Sequence, residues 1–582
     1  MHRLLTLHHP AAARGYYEAG TWTSDTFYSL VQKHAAARPE AHAARDSARR
    51  LTWRELLGWI DVVAGELEDA GVREGERVGL WLSNRLEAVV AFIACARNGY
   101  VCNPSLHRNY TVDDVRRLLE RIDARVVMIE DGWGADVDRH DPGAAFAGLP
   151  SLARIVRLPR ERLAATLSRR AGSGPRSALS PEGEWEDPSL PGTPSLDGEG
   201  HGGRAPPGGA DHVAYLAFTS GTTGTPKGVM HSSNTLLANC RDLARDWGHD
   251  ERTVLLTLSP VSHHIAWVAL GQAMTAGAEF VLDDPPAGMS RLDWIRETGA
   301  TYVMGVPTHA MDILAEQRRR GIDRLGRVRV FYMAGAPIPP AVAERFLAQG
   351  ITPQNIYGMT ENSSHHYTHP DDDAATVCTT CGRGGPAYEV RIFDQNDRDR
   401  MLGPDQAGEI GGRGAALMLG YFDNQRATET SFNRDGWFMS GDLGVLDAAG
   451  NLRIVGRLKD IVIRGGHNIH PARVEELAVR HPLVDKAAAF AVPDERLGER
   501  LCLAVSRTGE ATPEPDDLLR HLDAAGLSRF DMPEYFIVMD AFPLTASGKI
   551  LKRELAVWAA DGRIAPTPCR FRNEAREQPG GR

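Results

Sequence analysis

Apolar residues in the stretch "LTWRELLGWIDVVAGELEDAG" recur at helical spacing. Leu56, Ile60, Val63 and Leu67 fall on one face, Thr52 and Glu55 have the spacing of a capping box, and Gly71 stands where a left-handed residue can close a helix. The run "RVGLWL" that follows reads as a strand. The alternation then repeats, with a helix at "EAVVAFIACARNG", strands at "RVVMIE", "TVLLTL", "EFVLDD", "TYVMGV" and "VRVFYMAG", and helical stretches between them. Short apolar strands separated by helices are buried on both faces, so the pattern predicts an α/β fold with parallel-rich sheets flanked by helices.

Two shifts in the pattern mark organisation. From about Ser168 to Asp211 the chain is full of Gly, Pro and Ser with almost no apolar periodicity, which predicts a mobile surface insertion. Near Gly456, "NLRIVGRLKDIVIRGGHNIHP" gives way to helix ("ARVEELAVRH"), strands ("KAAAFAV", "RLCLAV"), helix and strand. The reading is a large N-terminal domain over residues 1–456 and a small α+β domain over 457–582, ending in a polar tail.

Composition narrows the partners. With 582 residues, 42% of them hydrophobic, the chain can bury more than one core. A formal charge of -10 without any basic block argues against a nucleic-acid backbone or an anionic membrane, and no apolar window reaches the length of a membrane span. Small molecules are the expected partners, with a homodimer an open option for assembly. The seven cysteines are odd in number and scattered, which predicts a reducing compartment, and Cys378 and Cys381 form a lone CxxC best read as a loop with two thiols. The apolar run at the N-terminus is too short for a signal peptide, so the cytoplasm is the default. Because the first acidic residue is Glu18, a cleaved organelle presequence is the other option.

One decapeptide carries chemistry. "TSGTTGTPKG", Thr219 to Gly228, gathers hydroxyls and glycines around one lysine. Such a loop lets backbone N–H groups converge on a phosphate chain. It is not a Walker loop, because Pro226 precedes Lys227 and Gly228 occupies the Ser/Thr place. A purely structural turn is the alternative.

Context sharpens that choice. "YLAFTSGTTGTPKGVMHS", "YGMTE", "SGDLG", "GRLKDIVIRGGHNIHPARVEE" and "PLTASGKILKREL" occur in one order over most of the chain. Together they resemble the adenylate-forming superfamily of acyl-CoA synthetases, aryl-acid ligases, peptide-synthetase adenylation domains and beetle luciferases. The resemblance implies the acyl-CoA synthetase fold with a mobile C-terminal domain. It also implies a reaction in which a carboxylate attacks the α-phosphorus of ATP, pyrophosphate leaves, and a thiol displaces AMP. An anionic nucleophile then approaches a polyanion, so the site needs fixed donors and cations.

The same resemblance distributes roles. Thr219, Ser220, Thr222, Thr223 and Lys227 would hold the β- and γ-phosphates, with Gly221 and Gly224 allowing close backbone approach. Gly335, Ala336 and Pro337, with Tyr357 and Gly358, would wall the adenine, the tyrosine stacking on its ring. Thr360 would touch the α-phosphate and Glu361 would hold Mg²⁺. Asp442 would accept from both ribose hydroxyls, although an Asx turn would also explain it, and Arg457 would contact the same ribose or a phosphate. Lys459 stands at the family's hinge, and Lys549 would enter the site in the adenylating pose to bridge carboxylate and ATP. Gly465 and Gly466 would leave a channel for the pantetheine of CoA, with a plain β-turn as the competing reading.

The acid is bounded more loosely. Amino-acid-activating members of the superfamily this chain resembles usually place an Asp here to pair with the substrate ammonium; "LSPVSHHIAWVALGQAM" has none, so the resemblance implies an uncharged organic acid. His263 or His264 would lie beside the substrate carboxylate, His263 keeping the P-x-x-H spacing from Pro260, while Ile265, Trp267 and Val268 read as core. Ser363, Ser364, His365 and His366 fall near the expected far wall, or in a solvated polar loop. The chain has no carrier-protein attachment serine, and it looks most like CoA ligases of short, medium-length or cyclic acids, including cyclohexanecarboxylate-type enzymes. A free-standing ligase loading a separate carrier protein is the alternative. A luciferase-like oxygenase, which would oxidise its adenylate, is a further alternative, while a catalytically silent nucleotide binder stands further off, since it would be expected to have lost Lys549 or Glu361 and both are present.

Overall fold

In a computed structural model of the protein the helix expected after Thr52 spans Trp53–Asp69. The Thr52 hydroxyl accepts from the Glu55 N–H at 3.3 Å, and the Glu55 carboxylate accepts from the Thr52 N–H at 2.7 Å, which is the reciprocal cap expected from the spacing. Leu56, Ile60, Val63 and Leu67 are wholly buried, each contributing about 1.5–3 kcal/mol of transfer free energy. Gly71 takes φ +75° just beyond the helix. The helix at "EAVVAFIACARNG" spans Leu86–Asn98 and closes on Gly99 at φ +72°.

The residues described are 10–160, 209–219, 226–336, 338–544 and 550–571. The expected Gly/Pro-rich insertion lies outside them except for Gly209 to Asp211, and most of the polar tail lies outside them too. The chain divides into two compact units, one drawn from Met1–Glu389 and Arg413–Phe432, the other from Val390–Gly412 and Asn433–Arg582.

The first unit holds two large sheets. One runs in the order Gly420–Tyr421, Lys227–Ser232, Val213–Thr219, Val101–Asn103, Arg77–Trp81, Ala124–Glu130 and Arg154–Leu158. The other runs Ser363–Tyr367, Thr352–Met359, Val330–Ala334, Tyr302–Gly305, Val254–Thr257, Glu279–Leu282, His42–Arg45 and Arg50–Thr52. Their interiors are parallel, as the alternation predicts. The edges are antiparallel where the connection is too short for a crossover, and the pair Val213–Thr219 and Lys227–Ser232 is one of these. The phosphate-loop candidate therefore connects two neighbouring antiparallel strands, with Thr219 opposite Lys227 closing the ladder.

Most of a four-stranded sheet, Tyr388–Phe393, Gly408–Gly414, Phe438–Leu446 and Leu452–Arg457, belongs to the second unit. A six-stranded sheet in that unit centres on the long antiparallel pair Val484–Asp494 and Gly498–Arg507, and carries the helices Pro471–Ala478, Pro515–Ala524 and Lys552–Ala560. The α/β architecture with a small α+β part agrees with the expectation. All seven cysteines are free thiols; Cys378 lies on the short helix Ala374–Thr379 rather than in a loop, and Cys381 is buried just after it.

Candidate active site

The stems of the "TSGTTGTPKG" loop are braced from outside the motif. Arg121, in the last turn of the helix Val112–Arg121, donates to the Pro226 carbonyl, and its guanidinium lies 5.3 Å from the ring centre of Phe218. One cation thus contacts both ends of the loop. Lys227 follows at the start of the second strand, its ammonium 4.4 Å from the ring centre of Tyr421. Ser220, Gly221, Thr222, Thr223 and Gly224 lie outside the described residues, as do Pro337 and Lys549.

The "YGMTE" segment ends the strand Thr352–Met359 and turns sharply into Ser363–Tyr367. Gly358 is required there: a Cβ at that position would lie 1.7 Å from the Ser363 carbonyl oxygen. Ser363 takes φ +59°, a conformation that an ordinary side chain adopts only at a cost of order 1–3 kcal/mol. Thr360 is held through its backbone. Nε2 of the buried His231 donates to the Thr360 carbonyl across 2.6 Å, and because a carbonyl only accepts, that nitrogen carries the proton and Nδ1 faces the Thr235 hydroxyl at 3.0 Å. Glu361 is half-buried, and its Oε1 accepts from the Tyr421 hydroxyl at 2.9 Å.

The two candidate histidines point to different neighbours. Nδ1 of His263 lies 3.4 Å from the Ser262 hydroxyl, which also meets His107 Nδ1 at 3.0 Å, and the two imidazoles are 4.6 Å apart at their centres. Burial pushes the His107 imidazole down to about 4. His264 Nε2 is 3.0 Å from the Ser363 hydroxyl and its Nδ1 is 3.3 Å from the Tyr215 hydroxyl, while its ring stacks on His231 with centres 5.4 Å apart. Burial, and then the neighbouring His231, hold His264 well below the ordinary imidazole range, so it is neutral. It is His264, then, that the structure joins to the Thr360 segment.

Ser363, Ser364, His365 and His366 do not form a solvated loop. They lie on a buried strand, with the Ser364 hydroxyl 2.6 Å from that of Tyr332 and the two histidine Nδ1 atoms 3.2 Å apart. The ladder to Thr352–Met359 accounts for the burial that polar composition hid. Tyr357 is buried with its ring edge-on to His365, and Gly335 and Ala336 are exposed at the end of the strand Val330–Ala334, Gly335 at φ +88°. Trp267 and Val268 are core residues, and Ile265 packs against the same core.

In the second unit Asp442 and Arg457 sit opposite each other on adjacent strands and form an ion pair at 2.9 Å. Lys459 lies on the single turn Leu458–Asp460 that follows. Gly465 and Gly466 form the tip of a hairpin between Val462–Arg464 and His467–Ile469, at φ +57° and +87°, a backbone that favours glycine. The tip is fastened by His467, whose Nε2 is 2.7 Å from Asp531 Oδ1, and by Arg464, paired with Glu534 at 2.9 Å.

Sequence reasoning missed Tyr421, Arg121 and His231. His231 stands inside a quoted motif, but its partner Thr360 is far along the chain; Tyr421 and Arg121 carry no local signal beyond being a buried aromatic and a helix-end cation.

Comparison with known proteins adds independent findings. The family model described as AMP-binding enzyme matches residues 31–422, and that of the AMP-binding enzyme C-terminal domain matches residues 473–549. The chain is 31% identical to the 3-[(3aS,4S,7aS)-7a-methyl-1,5-dioxo-octahydro-1H-inden-4-yl]propanoyl:CoA ligase of Mycobacterium tuberculosis, over 89% of this chain and 96% of that one. It is 28% identical to the medium-chain fatty-acid–CoA ligase of Escherichia coli, over 92% and 91% of the two chains. Among solved structures, ATP-bound MatB from Rhodopseudomonas palustris superposes with a TM-score of 0.76 at 26% identity, covering 93% of this chain and all (100%) of that one.

Proposed function

The chain belongs to the AMP-binding enzyme family, and from that premise we infer that it is an AMP-forming acyl-CoA synthetase: carboxylic acid, ATP and CoA become acyl-CoA, AMP and pyrophosphate by way of an acyl-adenylate. The observation that carries the reading is the match to CoA ligases over about nine-tenths of both chains.

The residue roles follow from chemistry. Lys227 and the hydroxyls and N–H groups of the loop that begins at Thr219 supply the donors a triphosphate requires. Thr360, its carbonyl held by His231, presents a hydroxyl to the α-phosphate. The Glu361 carboxylate suits Mg²⁺, a hard cation that prefers oxygen: it is part-exposed and one oxygen is oriented by a phenol. No group of three or more His, Cys, Asp or Glu side chains that could hold a metal comes together among the described residues, and an ion shared between one carboxylate and ATP phosphates needs none. When bound, Mg²⁺ neutralises phosphate charge. Asp442, oriented by Arg457, accepts from the ribose hydroxyls, and Lys549 bridges carboxylate and ATP. Gly465 and Gly466 leave room for pantetheine, and Lys459 serves as the hinge of a domain beginning near residue 457.

The substrate is an uncharged acid of short, medium or cyclic type. One of the paired histidines faces its carboxylate: His263 by spacing, with His264 favoured by its bond to Ser363. The seven free thiols support a reducing compartment, the cytoplasm. No helix among the described residues is long and apolar enough to cross a membrane.

The test is AMP release with linear, cyclic and aromatic acids, with and without CoA, using Lys549→Ala as the blank. Catalytic AMP formation only with CoA, led by one acid class, is the expected result. AMP formation that stops near one turnover whether or not CoA is added would instead assign the adenylate to a carrier protein.

A further inference from the structure

The two motifs that would meet ATP are joined by a third segment. Residues 418–422 run between them: the Met418 N–H donates to the Glu361 carbonyl at 2.7 Å, and the Leu419 and Phe422 N–H groups donate to the Met230 and Gly228 carbonyls at 2.8 and 2.7 Å. At the centre is Tyr421, 6% exposed, paired with Val229 across a two-residue strand and anchored by its own N–H to the Thr428 hydroxyl at 3.0 Å. One side chain makes two contacts of different chemistry. Its ring lies 4.4 Å from the Lys227 ammonium, and its hydroxyl donates to Glu361 Oε1 at 2.9 Å.

The geometry points to Tyr421 as a positioning residue that sets the phosphate-loop lysine and the metal-facing carboxylate in register, the ring orienting Lys227 and the hydroxyl orienting Glu361. This rests on the reading of Glu361 as the Mg²⁺ carboxylate. A carboxylate has no donor, so the phenol supplies the proton of that bond and occupies Oε1 in a fixed direction. Outer partners of this kind commonly change metal affinity by about 10- to 100-fold.

ATP binding to the full chain, followed by calorimetry in the absence of acid and CoA, separates the two contacts. Each protein is titrated in EDTA and across a MgCl₂ series. Tyr421→Phe keeps the ring and removes the hydroxyl. Its half-saturating Mg²⁺ is expected to rise about tenfold, while its affinity for ATP in EDTA stays within about twofold of the parent. Tyr421→Leu removes both contacts and should also weaken metal-free ATP binding, by about threefold to tenfold. Thermal midpoints confirm that each variant is folded.

If Tyr421→Phe leaves the Mg²⁺ midpoint unchanged while Glu361→Gln raises it, the inference fails and the Glu361 reading stands. If Glu361→Gln itself leaves the midpoint unchanged, the Glu361 reading fails and takes the inference with it. Equal losses for both tyrosine variants, with and without metal, would reduce Tyr421 to a packing residue.

Discussion

At the scale of single residues, the site depends on side chains that brace the motifs from outside. Arg121 is the clearest case, since it donates to the Pro226 carbonyl and lies over Phe218, one residue before Thr219. A hydrogen bond from a charged donor contributes about 1.5–3 kcal/mol. Arg121→Met keeps the aliphatic stem and loses that bond, so KM for ATP should rise about tenfold with kcat within about threefold, as steady-state kinetics would show. A fall in kcat with KM unchanged would exclude the brace. Neither Arg121 nor Tyr421 is legible in the sequence, because the first lies 105 residues from Pro226 and the second 60 residues from Glu361, and nothing local reports such contacts. Gly358 is legible only as part of a motif; the reason for it, the Ser363 carbonyl against its Cα, is tertiary.

Among the elements, the helix Leu86–Asn98 enters through a buried charge network. Arg85 donates to both oxygens of Glu87 at 2.9 and 3.0 Å, Arg49 adds a third bond at 3.1 Å, and Arg85 also donates to the Pro159 carbonyl at 3.1 Å. Burial raises the Glu87 carboxyl, but Arg85 and then Arg49 outweigh it and hold the group at about 2 against the ordinary 4.5. The unfolded chain therefore takes up this proton first as pH falls. Stability from Glu87 is complete above about pH 4.5 and drains away toward pH 2, by of the order of 3 kcal/mol. Glu87→Gln should flatten the pH dependence of the urea midpoint between pH 5 and 3 and cost about 3 kcal/mol at neutral pH, by leaving Arg85 short of its main counter-charge. An unchanged slope would show that the network does not titrate as described. Periodicity located this helix and its Gly99 end, yet gave no hint that its entry is ionic, because the partners come from three separate segments.

For the molecule as a whole, the reaction has two steps and the chain has two units. Lys549, the lysine proposed to act in adenylation, lies in the second unit's span, between the segment ending at Leu544 and the helix Lys552–Ala560. Losing one donor that acts on developing charge costs about 3–4 kcal/mol. Lys549→Ala should therefore slow adenylation by about a hundredfold to a thousandfold while sparing thioester formation from a supplied acyl-adenylate, measured as two separate half-reactions. Equal loss in both would refute the swinging role. By itself the sequence determined the α/β class, the alternation of strands and helices, the capped helix after Thr52 and the family, because periodicity, caps and contiguous motifs are written locally along the chain. Only the tertiary structure decided that the strand after Glu361 is buried rather than solvated, that His264 rather than His263 meets Ser363, and that Tyr421 contacts both Lys227 and Glu361. Those outcomes depend on ladder partners and on side chains remote in sequence, which no local pattern of polar and apolar residues encodes.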